Sequence, residues 1–442
     1  MRSGGDLWAC LLEVNAWRRR RRDAPLVGYQ ELCRELAASG PGTFGELDSK
    51  GARSVLRRFS DAWFAAAKRR KGGDLSARFP RRKRGLMPVR WYHGTFILDG
   101  RRVRLPTAKG APPLSVRLSR EVPYPVEQVR SVTLLCEGGR LFLDVTAEVP
   151  VATYPPGCGP DPGRVAGVDL GIIHPYAVAG PDGAGLLVSG RAVRAEHRMH
   201  LADTKARRRA VAGRAPKPGQ KGSRRWRQYR RRARMAEGRH RRRVRQAQHE
   251  AACQVVSWAV EQRVGVLRVG DPRGVLDLDA GRRHNLRLRQ WQIGRLLHLT
   301  DKAVLVGITV RLVDERGTSS TCPACQRRVP KPRGRTLSCP HCHFSGHRDL
   351  VAAATIATRL PGGGPTTPTA APMLPQVVTH RRAGRHLPGA GQSRRDPRRP
   401  GAARGSVGPR RPAPPPGGES LAPTARIHNN HQQPGERSWT PH

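Results

Sequence analysis

The sequence predicts a multidomain α+β chain. It has a helical and β-barrel-like N-terminal part, then an α/β domain carrying an inserted cysteine ribbon, and last a disordered basic tail. Three observations lead there. The spacing of apolar residues changes from helical to alternating near residue 90. Predicted elements after residue 165 run β-β-β-α-β-α-β. Cys322-Pro-Ala-Cys325 and Cys339-Pro-His-Cys342 form two tight pairs separated by thirteen residues.

Composition narrows the function classes. The chain has 442 residues, with 82 Lys plus Arg against 33 acids and a formal charge of +49. A positive excess of that size calls for a polyanionic partner, and nucleic acid fits better than a membrane. No apolar run reaches the roughly 18 residues of a bilayer span, and no apolar leader stands at the N-terminus. Nine cysteines, four in the two pairs and five scattered, fit metal binding in a reducing compartment rather than disulfides.

Residues 1–89 read as a helical region, with Phe59 and Trp63 on one apolar face and a basic exit at Lys68–Lys71. Residues 90–152 read as a small β domain. Its first hairpin turns at Asp99-Gly100, and its second joins Ser131–Cys136 to Leu141–Val149 through Glu137-Gly138-Gly139-Arg140. A Pro/Gly-rich linker covers 153–164.

Strands at Val165–Leu170, Tyr176–Ala179 and Leu186–Ser189 then form a meander. An Arg-rich helical insertion at 191–262 follows, broken at Gly213–Gly222 and apolar at Ala252, Val255, Val256 and Ala259. Next come a strand at Val264–Val269, a helix near Leu286–Val304 and a strand at Gly307–Val313. The ribbon occupies 318–347, and a last helix runs from Asp349 to Leu360. Three meander strands with two more added through helical crossovers match a ribonuclease-H-like α/β domain over 165–360. Residues 361–442 are rich in Pro, Gly and Arg, with Asp396, Glu419 and Glu436 as acids, and read as disordered.

Two paired thiolate loops suit one tetrahedral ion, and four sulfurs close its shell, so the ribbon is expected to hold structural Zn²⁺ at Cys322, Cys325, Cys339 and Cys342. His341, His343 and His347 are then basic neighbours rather than ligands. Asp169 ends an apolar strand, where Gly171 would let backbone pass near a phosphate, and Asp349 starts the last helix. Metal-assisted phosphodiester hydrolysis needs such carboxylates to converge.

Gly167-Val-Asp169-Leu-Gly171, the cysteine pairs and Gly346-His-Arg-Asp349-Leu-Val-Ala-Ala-Ala354 together resemble the TnpB (OrfB) proteins of bacterial insertion sequences, whose nuclease domain is RuvC-like. The resemblance covers about residues 50–360 and makes residues 90–152 wedge-like. It implies an Mg²⁺-dependent, RNA-guided DNA endonuclease related to type V CRISPR effectors, with Asp169 and Asp349 as metal ligands. An element-derived guide RNA, a DNA target and a separately encoded transposase of the same element are the implied partners. The implied setting is the bacterial cytoplasm, at the nucleoid.

One departure concerns the middle acid. The family places Glu before Asp-Leu at the end of the fourth strand, where this chain has Gly270-Asp271-Pro272. Asp271 or Glu315 could substitute, and Glu315 is preferred because it retains the reach of a glutamate. A nuclease-inactive, guide-dependent repressor and a transposase acting directly on DNA are the alternative functions.

Arg224, Arg225, Arg230, Arg231 and Arg232 interleave with Trp226 and Tyr229, so guanidinium groups can grip phosphates while the rings stack on bases or pack into the core. Arg78, Arg81 and Arg82 form a second candidate basic contact.

Overall fold

The computed structural model describes residues 1–21, 26–40, 42–81, 85–271, 294–330, 334–359 and 376–381. They fall into two compact units. One comprises Met1–Pro150 with Ala215–Arg239, and the other Val151–Arg214 with the described residues from His240 onward.

The first unit opens with three helices, α1 (Arg2–Arg18), α2 (Tyr29–Ala38) and α3 (Ser49–Lys71). Asp48 caps α3 by accepting from the backbone N–H groups of Lys50 and Gly51, and it also accepts from the Trp91 indole. The face carrying Phe59 and Trp63 is buried, as their spacing predicts. Their rings stack at 5.7 Å, and Trp8 meets Phe59 edge-on at 5.0 Å.

Six strands follow: β1 (Val89–Tyr92), β2 (Ile97–Asp99), β3 (Arg102–Leu105), β4 (Leu114–Arg117), β5 (Val129–Glu137) and β6 (Arg140–Ala147). They form two separate three-stranded antiparallel sheets, β1-β5-β6 and β2-β3-β4, rather than the expected barrel-like closure. Both hairpins form where the turn residues place them. Gly138 and Gly139 have φ of 61° and 80°, which the tight β5–β6 turn requires.

Residues 1–89 and 90–152 are not separate domains, because helices and strands bury one common core. Leu11, Leu56 and Phe59 join Val89, Val103, Leu105 and Val132 within it. Alternation along a strand marks which face is buried but not what covers it.

In the second unit, β7 (Asp161–Asp169), β8 (Tyr176–Ala179) and β9 (Ala184–Ser189) form the antiparallel meander. Helices α4 (Arg191–Ala212) and α5 (Arg224–Glu261) lead to β10 (Val264–Gly270), and α6 (Gly294–Leu305) leads to β11 (Thr309–Val313). Strands β12 (Thr336–Ser338) and β13 (Ser345–His347) make the ribbon hairpin, and α7 (Arg348–Thr358) follows it. With β14 (Gln376–Arg381), the six-stranded sheet has the order β11-β10-β7-β8-β9-β14. Strands β10 and β11 are parallel to each other, and β10 is parallel to β7. Ala252, Val255, Val256 and Ala259 of α5 are buried in the core of this sheet.

Three boundaries differ from expectation. Strand β7 begins four residues inside the expected linker, because Gly265 of β10 leaves room for the Asp161 carbonyl and pairing with β10 overrides the Pro/Gly composition. The Arg-rich insertion is not wholly part of the α/β domain. Its residues 215–239 group with the first unit, where a Cβ on Gly138 would lie 2.9 Å from Gly238 and 3.0 Å from the Arg234 carbonyl. The tail is not uniformly without structure, since Gln376-Val-Val-Thr-His-Arg381, with three β-branched residues, pairs in parallel with β9. The rest of the tail, and residues 286–293 of the predicted helix, lie outside the described residues. Among the described residues no helix is long and apolar enough to cross a membrane.

Candidate functional site

Asp169 ends β7, the strand held between β8 and β10. Helix α7 lies directly on β7 because position 167 is glycine: a Cβ there would fall on the Ala353 carbonyl oxygen and the Ala357 amide. This close approach brings the first turn of α7, with Asp349, beside the end of β7. Arg359 anchors the other end of the helix by donating to the carbonyls of Asp314 (2.6 Å) and Arg316 (2.7 Å).

Glu315 follows β11 and folds over Gly270. A Cβ on that glycine would lie 2.9 Å from Oε2 of Glu315 and 3.1 Å from its Cβ. The glutamate therefore fills the space beside the position where a side chain of β10 would stand. Asp271 is held there as well, its N–H donating to the Val313 carbonyl at 2.8 Å.

The electrostatics tie these acids together. Burial, with the charges of Asp349 and Glu315, pushes the Asp169 carboxyl up to about 7. Burial, with Asp271 and Asp314, pushes Glu315 to about 7 as well. Glu315 thus acts on Asp169 directly, whereas Asp271 acts on Glu315. Acids that resist ionisation near neutral pH, first because they are buried and then because other acids face them, could be relieved by a divalent cation.

Asp349 behaves oppositely. Burial works to raise it, but the hydrogen bond from His174 and the charge of Arg335 outweigh that and hold it below its ordinary value. His174 Nδ1 lies 2.8 Å from Oδ2, and Arg335 Nη1 lies 2.9 and 3.2 Å from the two carboxylate oxygens. His347 caps α7, its Nδ1 accepting from the Asp349 N–H at 3.3 Å. His174 and Arg335 escaped sequence reasoning, since neither falls in a spacing pattern. Gly171 also has a different role from the one expected. A Cβ there would lie 2.7 Å from the His174 carbonyl, so the glycine serves the β7–β8 turn.

The four thiols of the ribbon converge, with every Sγ within 4.8 Å of the others. Cys322–Cys342 and Cys325–Cys339 are each 3.6 Å apart, close to the edge of roughly 3.8 Å for a tetrahedron with 2.3 Å bonds. The donor set therefore fits one tetrahedral ion. Cys322, Cys339, Val329, Leu337 and Val351 share a small apolar cluster, which packs the ribbon onto α7. His341 and His343 are exposed.

Along the first half of α5, Arg224, Arg225, Arg230, Arg231 and Arg232 are exposed, while Trp226 and Tyr229 are half-buried. Arg230 lies over the Trp226 ring at 4.6 Å. Arg78 and Arg81 are exposed too, and Arg82 lies outside the described residues. These cations can face a polyanion, and the rings are neither fully packed nor fully presented.

Two segments of the chain match known families. Residues 148–276 match the OrfB_IS605 family model, described as a probable transposase. Residues 296–356 match the Cas12f1-like TNB domain. A cryo-EM structure of a Cas12f1–sgRNA–target DNA complex is similar at 15% identity, with a TM-score of 0.51 over 80% of each chain. A CRISPR-Cas12f ternary complex gives a TM-score of 0.37 at 16% identity, over 82% of this chain and 80% of that one. No curated protein gives a match. The chain is thus similar to OrfB proteins over the segment that holds Asp169, and to the Cas12f1-like TNB domain over the segment that holds Glu315, the ribbon and Asp349.

Proposed function

We propose that this protein is an RNA-guided DNA endonuclease of the TnpB type. Its phosphodiester hydrolysis would require Mg²⁺ held by Asp169, Glu315 and Asp349. The observation that carries this reading is Glu315 lying over Gly270, where the family's middle glutamate is missing. The acid is relocated from one strand end to the next and still acts on Asp169. Sheet order supports the reading, since in β9-β8-β7-β10-β11 a meander is extended by two parallel strands, as expected of a ribonuclease-H-like domain.

When bound, Mg²⁺ would supply an activated water and charge stabilisation for the leaving oxygen. The chain's own residues do the rest. Strand β7 and helix α7 hold two acids on rigid elements, Gly167 sets their approach, and His174 with Arg335 orients Asp349. The ribbon would hold structural Zn²⁺ and keep the start of α7 in place. The exposed arginines of α5, with Arg78 and Arg81, would contact the guide RNA and DNA target, and Trp226 and Tyr229 would add stacking. The structural relative was solved with an sgRNA and target DNA, which supports those two partners.

The test is to purify the protein with its co-expressed RNA, sequence that RNA, and assay cutting of matching DNA with and without Mg²⁺. Cutting that Asp169→Ala abolishes while target binding persists is expected. Cutting that survives Asp169→Ala removes the proposed site. The glycine at position 270 favours a second reading, a nuclease-inactive repressor, which predicts guided binding and no cutting. A transposase acting directly would instead give joined strands with element ends.

A further inference from the structure

The nuclease reading uses Asp349 but gives its two imidazole neighbours only positioning roles, His174 as an orienting hydrogen-bond partner and His347 as the cap of α7. One ring nitrogen each of His174 and His347 and one carboxylate oxygen of Asp349 lie within 4.8 Å of one another. We propose that these three residues form a second cation site, two imidazoles and one carboxylate, which takes a first-row transition ion such as Co²⁺ or Mn²⁺ in preference to Mg²⁺. The site shares Asp349 with the proposed nuclease centre and stands whether or not that centre cuts DNA.

Each donor is mounted on a fixed element. His174 is 8% exposed in the β7–β8 turn, where its carbonyl accepts from the Gly171 N–H at 3.0 Å. His347 ends β13, paired with Thr336, and caps α7. Asp349, also 8% exposed, sits in the first turn of that helix. The 2.8 Å between His174 Nδ1 and Asp349 Oδ2 is a hydrogen bond without an ion. With bonds of about 2.1 Å it would subtend roughly 84° at an ion, near the right angle between adjacent octahedral positions. The imidazole rings meet edge-on at 72° with centroids 5.2 Å apart, so they can approach one point from different directions.

Ligand chemistry decides the class of ion. Mg²⁺ takes oxygen donors and keeps its waters, whereas imidazole nitrogen favours later divalent ions, and two histidines with one carboxylate leave open positions on one face. Arg335 opposes an ion here, since its guanidinium already neutralises Asp349 at 2.9 Å. Its side chain is 35% exposed, so it has a route to solvent. If an ion competes with Arg335 for this carboxylate, removing the guanidinium must tighten the site. A hydrogen-bond network that only pins α7 predicts no such gain.

The experiment titrates Co²⁺ into full-length, zinc-loaded protein in excess Mg²⁺, reading the visible absorption of nitrogen-ligated Co²⁺ and the bound metal content. Wild type and Asp169→Ala should each take up one Co²⁺ beyond the zinc of the ribbon. His174→Asn, which can still donate to Asp349, should bind at least tenfold more weakly with its zinc content and melting temperature unchanged. Arg335→Gln should bind several-fold more tightly. The proposal is overturned if wild type takes up no added Co²⁺, if His174→Asn binds like wild type, or if Arg335→Gln gains nothing. Loss of uptake in Asp169→Ala would also overturn it, by assigning the ion to the oxygen-ligated centre; cutting results bear on that centre alone.

Discussion

Replacing Asp169 with asparagine keeps the shape of the side chain and removes a charge that the fold resists. The ordinary carboxyl value is 3.8, and burial among Asp349 and Glu315 raises it to about 7 in the folded protein. A difference of about three units corresponds to roughly 4 kcal/mol, an upper figure because neighbouring acids share the shift. Because the folded value lies above the unfolded one, the folded state keeps this proton between about pH 4 and pH 7 while the unfolded chain releases it. Stability therefore falls as pH rises through that window, and the loss is complete above about pH 7. Asp169→Asn should accordingly stabilise the Mg²⁺-free protein at pH 8 and have little effect near pH 4. A unit of this size shifts by roughly 2 to 4 °C per kcal/mol, so even half the full effect is readable by thermal unfolding. Added Mg²⁺ should raise the wild type at pH 8 and leave the variant nearly unchanged. Equal melting of the two proteins at pH 8, or a gap that is the same at pH 4, would refute the coupling of these acids.

The proposed role of Glu315 as the middle acid predicts that Glu315→Ala lowers Mg²⁺-dependent cleavage at least a hundredfold and that Gly270→Glu in that background restores part of it, measured in single-turnover cutting. Gly270→Glu alone should cut less well than wild type, because its Cβ would meet Glu315 Oε2 at 2.9 Å. Gly167→Ala puts a methyl group onto the backbone of α7 and should destabilise the α/β unit by about 3 kcal/mol or more, read by denaturant unfolding. Cys339→Ser should lower zinc content and weaken cutting together; normal zinc with full activity would separate the ribbon from α7. Replacing Arg230, Arg231 and Arg232 with glutamine should weaken RNA binding and reduce the slope of log affinity against log salt by up to about one for each phosphate no longer neutralised.

The spacing of the cysteines, the Gly-Gly turn after Glu137, the buried pair Phe59 and Trp63, and the placement of Asp169 at a strand end were all legible in the sequence. Each is a local matter, because turn chemistry and apolar period act between residues a few positions apart. The addition of two further strands to the meander through helical crossovers was legible in the element order, whereas the edge strand β14 was not. What stands opposite what was decided only in three dimensions. Glu315 belongs with Gly270, and His174 with Asp349 across 175 positions, because a glycine and a turn leave the space those side chains enter. The same holds for the helices and strands of the first unit, which share one core, and for the start of β7, which Gly265 admits. Charge and composition pointed towards a polyanionic partner, but the position of each carboxylate depended on backbone approach, and no local pattern encodes that distance.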